Sequence, residues 1–173
     1  MSTSEPLRLF FALPCPAPVA HAVAAWRDRL QLPGKAVAAE NLHLTLAFLG
    51  AQPRSRLDEL KAIAAGIRGQ AFELHLDRLG HWRAGLLHLL PSRPPEALLD
   101  LECSLRERLL QAGYELESRT FRPHLTLARH SSPPSGTVRP DFRWQAERFA
   151  LYLSESDREG TRYRSLAHWP LCP

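Results

Sequence analysis

Lysine is nearly absent from this chain of 173 residues: of its 22 Lys and Arg residues only Lys35 and Lys61 are lysines. Cysteine is sparse too, with Cys15, Cys103 and Cys172 widely separated, odd in number and without a C-x-x-C pair. Such spacing argues against a disulfide framework and a thiolate zinc site, and it fits a reducing cytoplasm. No apolar run is long enough to span a bilayer, since Leu9 to Leu13 ends at Pro14. The opening Met1-Ser2-Thr3-Ser4-Glu5 lacks the basic residues that lead a signal peptide. The expectation is a cytoplasmic protein with no membrane partner. H-E-x-x-H, an Asp-rich cluster and a Walker loop are all missing, so neither a metal nor a cofactor is expected.

What charge there is comes from arginine, whose planar fork suits phosphate oxygens better than a point charge does. The net charge of +4 favours an anionic partner such as nucleic acid. Charge alone does not name that partner, because many proteins equally basic bind no polyanion.

A chain of this length buries a core without covalent staples and reads as one domain, residues 1–173. Short strands alternate with helices. Leu7 to Leu13 reads as a strand, and Val19, Val23, Trp26 and Leu30 recur at helical spacing until Pro33-Gly34. Leu42 to Leu49 follows as a strand. Pro53 and Ser55, with Asp58 and Glu59 in the first turn, open a helix striped by Leu57, Leu60, Ala64 and Ile67. Phe72, Leu74 and Leu76 alternate with polar residues as a half-buried strand, and another strand runs near Leu86 to Leu90. Pro94-Pro95 starts a helix carrying Leu98, Leu101, Leu105 and Leu109, stopped at Gly113. Strands through His124 to Ala128, Phe149 to Leu153 and Tyr163 to Trp169 complete the chain, with Ser131 to Pro140 a loop.

This order contains a repeat. A strand, a helix and a strand reading His-Leu-Thr-Leu-Ala occur twice, ending at His43 to Ala47 and His124 to Ala128. A pseudo-two-fold arrangement of two lobes would bring the two motif strands together at a cleft, where small ligands bind. Side chains two apart on a strand share a face. His43 and Thr45 therefore point one way, followed by Ala47, while Leu44, Leu46 and Phe48 point the other. The second copy sets His124, Thr126 and Ala128 against Leu125 and Leu127.

Two imidazoles and two hydroxyls around one point suit a phosphodiester. Threonine hydroxyls donate to non-bridging oxygens, while one histidine accepts a proton from the nucleophile and the other gives one to the leaving oxygen. Histidine does both near neutrality. A lone His on a strand is ordinarily structural, and the duplication is what turns the pair into a candidate active site. The repeat is symmetric, so residue chemistry leaves open which histidine is acid and which is base.

The paired motifs resemble the 2H phosphoesterase superfamily, and the wider match resembles its bacterial and archaeal RNA 2′,3′-cyclic phosphodiesterases, historically called 2′-5′ RNA ligases. Arg8 to Pro14 is similar to the family's opening strand, Asn41 to Gly50 to its first motif, Phe121 to Arg129 to its second, and Tyr163 to Leu171 to its last strand. The resemblance implies a bilobal α+β fold, with antiparallel sheets lining a cleft and helices outside. It implies metal-independent hydrolysis of RNA 2′,3′-cyclic phosphate ends, tRNA among them, to 2′-phosphates by a monomer. A minor ATP-independent 2′-5′ joining of RNA ends accompanies that activity. By the same resemblance His43 is the proton donor, His124 the proton acceptor, and Thr45 and Thr126 bind phosphate.

Arg129 is the natural charge partner for that phosphate, and the family has arginine there. Strand parity sets it opposite His124 unless the strand ends or bulges at Ala128. Parity also sends Phe48 to the core rather than to base stacking. Arg27, Arg29, Arg119 and Arg122 are candidates to guide an RNA backbone, with exposed charge the plainer role for each. The histidines His21, His75, His81, His88, His130 and His168 lack ligand spacing and are expected in surface or structural roles. A sibling activity on a smaller cyclic nucleotide, a turnover-dead RNA-end binder and a metal-dependent hydrolase are the competing functions. Intact His and Thr weigh against the second, and Thr and Ala in place of carboxylates weigh against the third.

Overall fold

The computed structural model describes residues 5–173, so Met1 to Ser4 of the opening segment lie outside it. The first strand, β1 (Leu7–Pro14), is an apolar run because it is covered on both faces; Leu9 to Leu13 are all buried. Helix α1 (Ala17–Arg29) follows, and the chain then turns through Gln31 and Gly34, both at positive φ. A two-residue strand β2 (Lys35–Ala36) leads to the first motif on β3 (His43–Gln52). Helix α2 (Leu57–Ala65) is entered through a 3-10 turn at Arg54–Arg56, and no side chain caps it, so Ser55 does not serve as the cap.

Strands β4 (Phe72–Leu76), β5 (Arg78–Trp82) and β6 (Leu86–Leu90) precede helix α3 (Glu96–Gln111), whose Leu98, Leu101, Leu105 and Leu109 are buried. Gly113, at φ +89°, ends it as expected. The second motif enters β7 (Leu125–Arg129), followed by β8 (Phe142–Ala146), β9 (Arg148–Asp157) and β10 (Gly160–Pro170). Strands β2, β5 and β8 have no counterpart in the sequence reading. β2 is too short to show a period, and β5 carries Gly80 and His81 where alternation would need apolar residues.

The repeat is real in three dimensions: β1-α1-β3 and β6-α3-β7 are equivalent units. Their sheets are continuous rather than separate, in the order β10-β9-β1-β3-β7-β6-β5, with β2 beside β7. The junction is the antiparallel pairing of Leu44 with Leu125. The pseudo-two-fold passes there and relates β3, β1 and β9 to β7, β6 and β5. It also sets β4 against β8 in a small antiparallel sheet of their own.

One irregularity is duplicated as well. β3 steps from Ala12↔Thr45 to Phe11↔Ala47, leaving Leu46 as an extra residue. β7 steps from His88↔Thr126 to Leu87↔Ala128, leaving Leu127 extra. Each is a β-bulge at the second leucine of the motif, and a bulge inverts the alternation beyond it. Three parity expectations change accordingly. Ala128 packs into the core instead of continuing the site face, whereas Ala47 packs against the core and still lines the cleft. Phe48 is not a core residue; it is 46% exposed. Arg129, its counterpart in the other lobe, swings onto the site side.

The bulge in β7 is held from behind. The Leu127 carbonyl accepts from the Val37 N–H at 2.9 Å and from Arg27 Nη1 at 3.2 Å. Arg27 is itself buried and also donates to the Val37 carbonyl. Its role is structural, not guidance of RNA.

Candidate active site

Extending the Leu44–Leu125 register by one residue each way sets His43 opposite Thr126 and Thr45 opposite His124. Cross-strand neighbours in such a pair have Cβ atoms about 4.5–5.5 Å apart. The leucines between them face the core and are fully buried. All four polar residues line a cleft of about 1420 Å³, together with Arg129, Phe48, Arg8, Arg83 and Arg122. That volume exceeds the usual range for small-molecule sites, about 300–1,000 Å³.

Both histidines are oriented in the same way. Nδ1–H of His43 donates to the Asn41 carbonyl and that of His124 to the Arg122 carbonyl, each at 2.7 Å. The carbonyl two residues upstream thus fixes the tautomer and leaves Nε2 for chemistry. The Thr45 hydroxyl donates to His43 Nε2 at 3.0 Å. Asn41 is tied in turn to β10, its amide donating to the Thr161 carbonyl at 2.8 Å.

The ring environments differ. His43 lies among Phe10 at 4.8 Å, Tyr163 edge-on at 5.0 Å and Tyr152 at 6.4 Å between ring centres. His124 meets Trp82 edge-on at 4.5 Å and His88 at 5.5 Å. Burial holds the His43 imidazole below its ordinary value, opposed by the Asn41 carbonyl and reinforced by the positive charges of His124 and Arg129. His124 is lowered by burial, opposed by the Arg122 carbonyl and reinforced by Arg129. Near neutrality the free site therefore holds two uncharged imidazoles beside a guanidinium, a poised receptor for an anion.

Of the other candidates, Arg119 and Arg122 line the cleft and Arg29 on α1 does not; His130, expected in a surface or structural role, lines it too. His75 pairs with Asp141 and His81 bonds the Ser131 carbonyl, both structural roles. Phe48 offers an aromatic face to the cleft, with the Arg8 guanidinium 5.8 Å from its ring centre. Sequence reasoning missed Phe10, Trp82, Tyr152 and Tyr163 around the two imidazoles; His88, expected in a surface or structural role, is buried and hydrogen-bonded to the Leu86 carbonyl, but its place beside His124 was not foreseen. The signal for His88 was present: Leu87 and Leu89 enter the core, so alternation sends the residue between them to the site side.

Two His-x-Thr strands meeting at the two-fold of an antiparallel bilobal fold define the 2H phosphoesterase class. A family model described as the 2′-5′ RNA ligase superfamily matches residues 15–158, and the chain belongs to that family. It is 39% identical to the RNA 2′,3′-cyclic phosphodiesterase of Escherichia coli over 97% of this chain and 98% of that protein. The crystal structure of E. coli LigT complexed with 3′-AMP superposes with a TM-score of 0.90 at 38% identity, covering 96% of this chain and 99% of the other. A crystal structure from Thermus thermophilus superposes with a TM-score of 0.82 at 27% identity, covering 95% and 98%. No helix among the described residues is long and apolar enough to cross a membrane.

Proposed function

We propose that the chain hydrolyses RNA 2′,3′-cyclic phosphate ends to 2′-phosphates by metal-independent acid–base catalysis. The observation that carries this is the matched anchoring of His43 and His124, each presenting Nε2 to one cleft from equivalent positions of two lobes. The E. coli relative is named for this activity. Thr45, Thr126 and Arg129 hold the non-bridging oxygens. His124 takes a proton from water as its oxygen bonds to phosphorus, and His43 gives one to O3′ as the P–O3′ bond breaks. The acid and base labels follow the family resemblance, since the two backbone anchors are alike.

The lowered affinity of both rings for protons fits this chemistry. Entry of an anionic phosphate favours one imidazolium, so the substrate helps to charge the acid it needs while the other ring stays basic. An RNA 5′-hydroxyl in place of water would give 2′-5′ joining as a minor outcome. Both motif copies come from one chain, which supports residues 1–173 acting as a single bilobal unit and as a monomer. Three free cysteines support a reducing cytoplasm, where RNA ends, tRNA among them, are the substrates.

The experiment is hydrolysis of a nucleoside 2′,3′-cyclic phosphate in the presence of a chelator, with the product identified. A 2′-phosphate formed at undiminished rate, and lost on His43→Ala or His124→Ala, is expected. Chelator-sensitive turnover, a 3′-phosphate product or a fully active His124→Ala variant would sink the proposal.

A further inference from the structure

Behind the second motif lies a buried histidine that the acid–base pair does not use. His88 stands on β6 directly across from Thr126 and is 1% exposed. Its Nδ1–H donates to the Leu86 carbonyl at 3.1 Å. Its Nε2 fills the space where a side chain at Gly80 of β5 would begin, so that glycine is the hole into which the imidazole fits. The Trp82 ring lies 4.1 Å from His88 and 4.5 Å from His124, and the two imidazoles are 5.5 Å apart at 73°.

Among the described residues His124 has one hydrogen bond holding its ring, from Nδ1 to the Arg122 carbonyl. A ring tied at one nitrogen can rock about that bond. Contacts with Trp82 and His88 restrict the rocking, and displacing a catalytic group by about 1 Å costs roughly 100-fold in rate. We propose that His88 is a positioning residue for His124: locked between Gly80 and the Leu86 carbonyl, it backs Trp82 and fixes the plane in which His124 presents Nε2. This rests on the catalytic reading of His124 above.

The charged or titratable groups facing this pair are His43 from β3, Arg129 from β7 and His81 from β5. Burial lowers both His88 and His124, and a proton on His124 further disfavours one on His88. Removing His88 admits water beside His124, which relieves part of the burial that lowers it and so raises the pH at which His124 titrates.

The test uses His88→Ala and His88→Asn, the latter keeping an N–H for the Leu86 carbonyl. The imidazole of His124 is titrated by NMR in the protein alone, and kcat and KM are measured on a nucleoside 2′,3′-cyclic phosphate. In His88→Ala, kcat falls about 10- to 100-fold, KM stays within about twofold, and the His124 titration moves upward; His88→Asn lies between this variant and the wild type. If His88→Ala does not fold, the Asn variant decides. An unmoved His124 titration, whether kcat is intact or falls only with thermal stability, overturns the proposal. Should the wild type be inactive on the cyclic phosphate, the proposed function fails while the NMR titration still decides the role of His88.

Discussion

Gly34 presses on the strand end that carries Arg129, and Gly34→Ala tests whether that pressure sets the proposed phosphate site. A Cβ at Gly34 would lie 2.7 Å from the Arg129 carbonyl oxygen and 2.9 Å from both the His130 oxygen and Ser131 Cα, all backbone atoms. Carbon atoms in ordinary contact sit about 3.5–4.0 Å apart, so the segment must retreat by roughly 0.5–1 Å. Gly34 also holds φ at +126°, where an L side chain is strained by about 1–3 kcal/mol. Overpacking adds about 1–3 kcal/mol, so the expected loss of stability is about 2–6 kcal/mol. A displacement of that size at Arg129 lowers kcat/KM by about 100-fold. The assay is thermal unfolding together with kcat/KM, in the wild type and in an Arg129→Met background. If the rate loss runs through Arg129, Gly34→Ala costs little further activity once Arg129 is gone. A wild-type melting temperature and rate in Gly34→Ala, or a full 100-fold loss persisting in the Arg129→Met background, would refute the reasoning.

A cyclic substrate with sulfur replacing O3′ separates acid from base, because a thiolate, with a pKa near 8.5, leaves without a proton. On the oxygen substrate either His→Ala variant should lose about 100- to 10,000-fold; on the sulfur substrate His43→Ala recovers to within about tenfold and His124→Ala does not. The opposite rescue reverses the labels. Acid should also weaken the fold. Burial lowers His43, His88 and His124 below the unfolded value of about 6.5, so below that pH the unfolded chain binds more protons than the native one and stability falls as pH drops. Urea midpoints at pH 7.5 and pH 5 check this, and an equal or higher midpoint at pH 5 contradicts it. Arg27→Met removes a donor from the buried Leu127 carbonyl and should cost about 1–3 kcal/mol in denaturant unfolding; an unchanged midpoint would show that Val37 alone satisfies the bulge.

The motif residues were legible because their chemistry is local to a pentapeptide and repeated. The duplicated units were legible for the same reason, since Val19 to Leu30 and Leu98 to Leu109 each carry a helical stripe ahead of a motif strand. Parity left Arg129 open and sent Phe48 wrongly to the core, because it presumes an unbroken ladder. The bulges at Leu46 and Leu127 are set by register with β1 and β6, and no residue type within the motif announces them. Gly34 was readable as a helix stop, yet its contact with Arg129 to Ser131 joins segments far apart in the chain. Arg27 was invisible for a related reason: its acceptors, Val37 and Leu127, are neighbours only after β2 has paired with β7.

Equal bulges do unequal things, and that inequality bears on how a symmetric repeat runs an asymmetric reaction. At the same place in each lobe the first copy turns out Phe48 and the second Arg129, one an aromatic surface and the other a fixed positive charge. The rings differ to match. His43 sits among Phe10, Tyr152 and Tyr163, while His124 sits against Trp82 with His88 behind it. Backbone anchoring through Nδ1 is common to both histidines and cannot tell donor from acceptor. The division of labour must therefore come from these surroundings and from where the substrate places its phosphate. Exchanging the motif pentapeptides, which differ in none of their five residues, would leave the site unchanged; exchanging Phe48 with Arg129 would move the charge to the other lobe.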